Sequence, residues 1–120
     1  MSTLSVSNIT DGTDTVETGY VVNGSAKAWV HANASAAPLN SLNVSSGLDN
    51  GVGDYTYTYT AALTLSYYSS QANVRVNSSA AYTCNTNVQT TTTITLGTYR
   101  SDQIARNDRE NLFAAFGDLA

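Results

Sequence analysis

The fold of this chain is decided by the stretch from Asn43 to Thr60, which reads Asn-Val-Ser-Ser-Gly-Leu-Asp-Asn-Gly-Val-Gly-Asp-Tyr-Thr-Tyr-Thr-Tyr-Thr. Its centre holds five turn-forming residues: Asp49, Asn50, Gly51, Gly53 and Asp54. Asn-Gly supplies the positive φ angles that a tight hairpin requires, and Gly53 can accommodate a bulge. Beyond the turn, tyrosine alternates with threonine, so Tyr55, Tyr57 and Tyr59 share one face of a strand. The stretch therefore predicts a structural β-hairpin.

Apolar alternation on both sides of the hairpin predicts further strands. In residues 26–31, Ala28 and Val30 fall on one side of a strand and Trp29 on the other. Residues 32–40 are small, polar and interrupted by Pro38, so a loop is expected there. The other strands are expected at Leu63 to Tyr67, Gln71 to Tyr82, Val88 to Leu96 and Leu112 to Phe116. A charged loop is expected over 101–111, with a short helix capped by Ser101 or Asp102 as the alternative.

These elements predict an all-β chain, an antiparallel β-sandwich or jelly-roll-like domain with a short N-terminal arm. At 120 residues the chain is long enough for one domain, and we assign this domain to residues 25–120. Residues 1–24 form the arm, in which Leu4, Val6 and Ile9 alternate with polar residues to suggest a short strand. Asp-Gly at 11–12 and Asn-Gly at 23–24 predict turns. The arm has too few apolar residues for a core, so it must pack on the domain or on another chain.

Composition argues against several functions. The net charge is −4 with five Lys and Arg residues that are mostly scattered in sequence, so no nucleic-acid partner is expected. One cysteine, Cys84, excludes an intramolecular disulfide, and we expect its thiol to pack in the interior. No apolar run approaches the roughly 20 residues of a membrane span, and the opening residues do not read as a signal peptide.

Catalytic chemistry is not indicated. His31 is the single histidine, no Gly-x-Ser-x-Gly motif occurs, and the turn chemistry of the hairpin explains Asp49 and Asp54. We therefore expect no enzyme, no catalytic residue, no metal site and no cofactor.

Five aromatic side chains are expected to pack in the core or in an interface between chains: Trp29, Tyr55, Tyr57, Tyr59 and Phe116. The alternative for the tyrosine face is an exposed platform that binds sugar rings. If Trp29 is a core anchor, replacing it by alanine costs roughly 3 kcal/mol or more.

Four stretches carry a family resemblance: Asn-Gly-Ser-Ala-Lys-Ala-Trp-Val at 23–30, Asn-Val-Ser-Ser at 43–46, Asp-Asn-Gly-Val-Gly-Asp-Tyr-Thr at 49–56 and Ala-Phe-Gly-Asp-Leu-Ala at 115–120. Together they resemble a module of tailed-bacteriophage fibres and other virion appendages. The resemblance spans most of the chain from Asn23 onward. It departs after Val30, and the region from Leu65 to Asn107 diverges.

The resemblance implies a homotrimeric virion structural protein with no catalytic residues. We expect a short tail fibre or spike that contributes to particle assembly and host-surface attachment. The arm, with Leu4, Val6 and Ile9, would serve virion attachment or oligomerisation. Partners would be other copies, other virion proteins and a host surface glycan or outer-membrane receptor. Synthesis would occur in the bacterial cytoplasm and residence in the virion. A capsid decoration or head-fibre protein and a carbohydrate-binding β-module are the alternatives.

Overall fold

The computed structural model describes residues 1–76, 81–100 and 105–120. The elements, in chain order, are β1 (Asn8–Thr10), β2 (Thr15–Glu17), α1 (Thr18–Gly24), β3 (Ala28–Ala32), β4 (Pro38–Leu42), β5 (Val44–Gly51), β6 (Asp54–Tyr59), β7 (Ser69–Arg75), β8 (Tyr82–Gln89), β9 (Thr93–Arg100) and β10 (Glu110–Phe116). Within those ranges no helix reaches the length and apolarity that crossing a bilayer requires.

Two four-stranded antiparallel sheets contain all of the strands from β3 onward. The first sheet has the order β4-β3-β10-β7, and the second has the order β5-β6-β9-β8. β1 and β2 form a separate two-stranded hairpin in the arm. The predicted all-β class is confirmed, because antiparallel strands make up most of the described chain.

The core lies between the inner faces of the two sheets. The first sheet contributes Ala28, Val30 and Ala32 of β3, while the second contributes the tyrosines of β6. Small side chains on β3 leave room for large rings on the facing sheet, so the volumes complement one another. The Tyr57 ring packs 5.6 Å, between centroids, from that of Phe113 in β10. The two sheets therefore form a sandwich.

The hairpin predicted from residues 43–60 is present as β5 and β6. Its positive φ angles belong to Gly51 (138°) and Gly53 (62°), whereas Asn50 has no positive φ. The register shift falls between Asp49 and Gly51, so the bulge lies at Asn50 and not at Gly53 as expected. Gly53 instead occupies the two-residue turn between the strands, where only glycine adopts this backbone readily.

Several predicted boundaries are wrong. In the arm, Leu4 and Val6 precede the first strand, and the Asn-Gly pair at 23–24 ends a helix that alternation did not indicate. Pro38 begins β4, since an edge strand tolerates a residue without an N–H donor. The expected loop is thus confined to 33–37.

The expected strand from Leu63 to Tyr67 is also wrong. Leu63 is buried and forms an isolated bridge with Leu119, whereas Leu65 and Tyr67 are exposed in a connecting segment. The expected strand from Val88 to Leu96 is two strands, β8 and β9, because hydrogen bonds between Thr90 and Thr93 close a turn between them: the N–H of Thr90 donates to the carbonyl of Thr93, and the N–H of Thr93 donates to Oγ1 of Thr90.

The two remaining predicted stretches do contain strands. The stretch from Gln71 to Tyr82 divides into the end of β7 and the start of β8, and residues 77–80 between them lie outside the described residues. The final strand is confirmed as β10. Residues 101–104 of the loop-or-helix segment, including both suggested caps, are also outside the described residues, and residues 105–109 are not helical.

Candidate interaction surfaces

The hairpin turn is held by its own polar side chains. Oδ1 of Asp49 accepts a hydrogen bond from the backbone N–H of Gly51 (3.0 Å). Nδ2 of Asn50 donates to Oγ1 of Thr56 (2.8 Å), which ties the bulge to the neighbouring strand. These two hydrogen bonds show that the side chains of Asp49 and Asn50 stabilise the turn.

A second set of contacts joins the turn to the segment before β10. The N–H of Gly53 donates to Oδ1 of Asp108 (2.8 Å), and the carbonyl of Gly53 accepts from the N–H of Thr98 (2.9 Å). Asp54 forms an ion pair with Arg106 (2.8 Å). The hairpin therefore positions the loop that leads into the last strand.

The three tyrosines of β6 are buried, so they do not form a platform for sugar rings. The Tyr55 hydroxyl lies 3.1 Å from the carbonyl oxygen of Ala34 and accepts a hydrogen bond from the N–H of Arg109 (3.1 Å). The Tyr59 hydroxyl is 2.8 Å from that of Tyr68. Burial raises the pKa of Tyr55 to about 12 and raises the pKa of Tyr59 as well. These rings belong to the core.

Trp29 lies on the outer face of the first sheet instead of in the core. It is half-buried, pairs with Ala114 of β10 and Leu42 of β4, and lines a shallow groove with Leu112. The core side of β3 is occupied by Val30 and its alanines. Trp29 is thus an aromatic side chain on an open strand face.

A polar cluster lies at one edge of the same face. Oε2 of Glu110 is 3.3 Å from Nη1 of Arg75 and 3.5 Å from Nε2 of His31. All three side chains retain solvent contact, so such pairs contribute little to stability. The described residues hold no cluster of three or more His, Cys, Asp or Glu that could bind a metal ion.

The four arginines gather at one end of the sandwich, three of them from residues 100–109 and the fourth from the end of β7. We call this the arginine end, where β7 and β9 finish and β10 begins; it carries Arg75, Arg100, Arg106 and Arg109. The guanidinium of Arg109 stacks 4.3 Å from the ring centroid of Tyr82 and donates to its hydroxyl (2.6 Å). The carboxylates of Glu110 and Asp54 pair with Arg75 and Arg106, so two of the four charges are paired within the chain.

Sequence reasoning missed this cluster because its partners are far apart along the chain. Arg109 and Tyr82 are 27 positions apart, and no motif connects them. Only the register of β8 with β9 and the return of the chain before β10 bring them together.

The arm has an apolar surface that the sandwich leaves open. Every residue of 1–24 is exposed except the half-buried Thr18. A groove in the arm is lined by Leu4, Val6, Ile9, Val21 and Val22.

The hairpin turn between β1 and β2 of the arm forms, as expected, at Asp-Gly 11–12. The N–H groups of Thr13 and Asp14 donate to the Asp11 carboxylate, which lowers its pKa.

We call the end of the sandwich opposite the arginine end its base. β3 begins and β10 finishes there, and the arm joins the sandwich at this end. Phe116, at the end of β10, lines a cavity of about 380 Å³ with Leu65, Tyr67 and Asn23 of α1. Lys27 fixes the junction, since its ammonium donates to the carbonyl of Val22. Exposed apolar side chains therefore continue from the arm onto the base.

Cys84 lies in β8 and packs against the core. Burial raises the pKa of its thiol to about 12. A thiol of this kind is a weak nucleophile, so its position favours packing over reactivity.

Comparison of the chain with protein-family models, curated proteins and solved structures finds no match in any of the three.

Proposed function

We propose that this protein is a bacteriophage virion structural protein, a short trimeric tail fibre or spike component. In this proposal it contributes to particle assembly through one end and to host-surface attachment through the other. The proposal rests on the sequence resemblance together with the way the two ends of the domain differ.

The observation that carries the proposal is the uncovered apolar arm. A monomeric domain rarely exposes so many large apolar side chains together, and such surfaces mark contacts with other chains. Leu4, Val6 and Ile9 of the arm are all exposed. An arm of this kind suits a subunit that is built into a larger particle.

The arginine end suits the opposite role. It lies at the far end of the strands from the arm, and it carries two ion pairs whose side chains are partly exposed, together with a stack of Arg106 on Tyr99. Guanidinium and carboxylate groups in one place offer both donors and acceptors to a host glycan or receptor.

Trp29 supports the carbohydrate-binding alternative more than the tyrosines do. The tyrosine rings are enclosed, whereas Trp29 reaches the open face of the first sheet. A glycan array probed with the native protein and with Trp29→Ala tests this alternative. Glycan binding that disappears in a fully folded variant would favour a binding module.

Antibody-labelled electron microscopy of purified particles of the phage that encodes the chain tests the main proposal. Label at the tail tip supports a fibre or spike. Label distributed over the capsid supports the decoration alternative. Particles that contain none of the protein by mass spectrometry would overturn both assignments.

A further inference from the structure

The outer face of the first sheet carries a groove that follows β10. It runs between β3 on one side and β7 on the other, and its volume is about 410 Å³. Each of the three strands contributes two side chains of this face to the lining: Trp29, His31, Leu112, Ala114, Gln71 and Asn73. We call this hollow the Trp29 groove.

The register of the sheet places an aromatic ring and an amide on either side of a small residue. Ala114 pairs with Trp29 of β3 and with Gln71 of β7. Neighbouring strands are about 4.8 Å apart, so the two larger side chains begin about 10 Å from each other. The methyl group of Ala114 between them leaves the floor low. The groove is therefore a trough with an aromatic side and an amide side.

Two amides and an indole of the groove are available to a ligand. The Gln71 amide and the indole N–H of Trp29 make no hydrogen bond with any residue in 1–76, 81–100 or 105–120. Asn73 uses its Oδ1, which accepts from the N–H of Val74 (2.8 Å), and its NH2 group has no acceptor within those ranges. A ligand in the groove thus meets polar groups that the fold itself does not use.

The groove is uncharged. With His31 neutral, none of the described side chains that line it carries a charge. Glu110 and Arg75 lie in the next row of the sheet, and they pair with each other (3.3 Å). Because an anionic ligand requires cationic partners, this lining favours a neutral ligand.

We propose that the Trp29 groove binds a neutral pyranose ring of a glycan. A pyranose has an apolar C–H face and a rim of hydroxyl groups that donate and accept hydrogen bonds. Trp29 would stack on the apolar face, and the amides of Gln71 and Asn73 would bond the hydroxyls. An apolar surface with a few converging polar groups is the usual composition of a ligand site. The inference rests on the proposed function, since it names the ligand class for host-surface attachment.

The β7 side of the groove fits a second copy of the chain less well than it fits a sugar. The exposed side chains of β7 are all polar, and they are Ser69, Gln71, Asn73 and Arg75. The centre of an interface between identical chains is normally apolar. A ligand rich in hydroxyl groups instead provides a partner for each amide.

The test begins with the native full chain on an array of neutral and acidic bacterial glycans. Trp29 is the single tryptophan of the chain, so its fluorescence reports on the groove directly. Neutral glycans are expected to bind. They should move the tryptophan emission to shorter wavelength and protect it from quenching by acrylamide, because a stacked sugar excludes water from the ring.

Two pairs of variants assign the binding to the groove. Asn73→Ala removes an exposed amide from β7, and Asn87→Ala removes one from β8, the corresponding edge strand of the second sheet. Trp29→Ala removes the ring, whereas Trp29→Phe keeps a smaller one. Affinity electrophoresis in gels that contain the bound glycan measures binding, and circular dichroism measures folding.

The two pairs should separate clearly. Trp29→Ala is expected to weaken binding by about tenfold or more, and Trp29→Phe should retain part of the affinity. Asn73→Ala should weaken binding by about threefold, while Asn87→Ala binds as the native chain does. Neutral glycan binding that both Trp29→Ala and Asn73→Ala leave unchanged would overturn the inference. If Trp29→Ala does not fold, the asparagine pair and Trp29→Phe still decide.

Other outcomes separate this inference from the proposed function. Binding of acidic glycans alone, with unchanged Trp29 emission, would overturn the groove and favour the arginine end. Emission that shifts with protein concentration in the absence of glycan would overturn it in favour of a second copy. Binding of no glycan would overturn the groove and leave the particle assignment to electron microscopy. Neutral glycan binding by a protein absent from the particles would support the groove and contradict the virion proposal.

Discussion

The hydroxyl of Tyr57 in β6 donates a hydrogen bond to Oδ1 of Asn111 in β10, and both side chains are fully buried. The bond links one sheet to the other across the core. Nδ2 of Asn111 donates in turn to the carbonyl of Arg109 (3.0 Å), so both ends of the amide are satisfied. A buried polar pair of this kind fixes one alignment of the two sheets, since any shift would leave a polar atom unpaired.

Replacing Tyr57 by phenylalanine should lower the free energy of unfolding by about 1–3 kcal/mol, because Oδ1 of Asn111 would remain buried without a donor. Urea denaturation measures the change. Tyr67→Phe is the matched control, since the Tyr67 side chain is exposed, and it should leave stability unchanged. Equal midpoints for the two variants would contradict a structural role for the Tyr57 hydroxyl.

Stability should fall as the pH rises above 10. The ordinary tyrosine pKa is 10.0, and burial raises the pKa of Tyr55 to about 12 and also raises that of Tyr57. Between these values the unfolded chain loses the phenolic protons while the folded chain keeps them, so the free energy of unfolding decreases with pH. Below pH 10 both states hold the protons and the tyrosines add no pH dependence.

Denaturation midpoints measured from neutral pH to pH 12 test this dependence. The thiol of Cys84 acts in the same direction from its ordinary value of 9.0, so the series should be repeated with Cys84→Ala. Constant stability between pH 10 and pH 12 in that variant would contradict the burial of the tyrosine hydroxyls.

Gly47→Ala should destabilise the protein by about 1–3 kcal/mol through overpacking. A methyl group at this position in β5 would overlap the carbonyl of Ala36 and would lie 2.9 Å from Cε1 of Tyr57. Gly19 of α1 is the control, since a methyl group there meets open space. Thermal unfolding should separate the two variants, and a native melting temperature for Gly47→Ala would mean that the 33–37 loop does not lie over β5.

Trp29→Ala should cost about 1 kcal/mol, less than the roughly 3 kcal/mol or more expected for a core anchor, because the ring is half-buried on the outer face. Phe113→Ala, in the core opposite Val30, should cost about 3–5 kcal/mol. Chemical denaturation of both variants compares the two sites. A Trp29→Ala cost as large as that of Phe113→Ala would place the tryptophan in the core.

Cys84 should resist thiol reagents until the protein unfolds. Burial raises the pKa of the thiol from 9.0 to about 12, which lowers the thiolate fraction at neutral pH, and the thiolate is the reacting form. Labelling with a chromogenic disulfide should be slow in buffer and immediate in denaturant. Fast labelling of the folded protein would show that the thiol is accessible.

The sequence predicted the fold best where local chemistry is strong. The turn at 49–54 and the alternation of Tyr55, Tyr57 and Tyr59 locate a hairpin without any knowledge of its partners, since glycine and period-two patterning act locally. The outcome was poorer at Leu63 to Tyr67, where alternating apolar residues do not pair along a ladder and two of them face solvent. Periodicity cannot distinguish a strand from an irregular segment when no neighbouring strand is available.

The candidate surfaces depended on topology, which the sequence did not reveal. The arginine end exists because β7, β9 and the segment before β10 meet at one end, although Arg75 and Arg109 are 34 positions apart. Alternation correctly predicted that Trp29 and Val30 lie on opposite faces of β3. Alternation alone does not say which face of a strand points toward the core. The arm was the exception, because its composition already indicated that it lacks a core of its own and must pack on the domain or on another chain.

The position of β10 has a consequence for synthesis on the ribosome. It is the last strand of the sandwich, yet it lies between β3 and β7 in the first sheet. While the ribosome is still translating residues 110–116, β3 and β7 have no strand between them. The first sheet is then incomplete, and it cannot cover the core. We therefore expect folding of the sandwich to follow completion of this segment, so that nascent or prematurely terminated chains expose Val30 and the core tyrosines to chaperones and proteases.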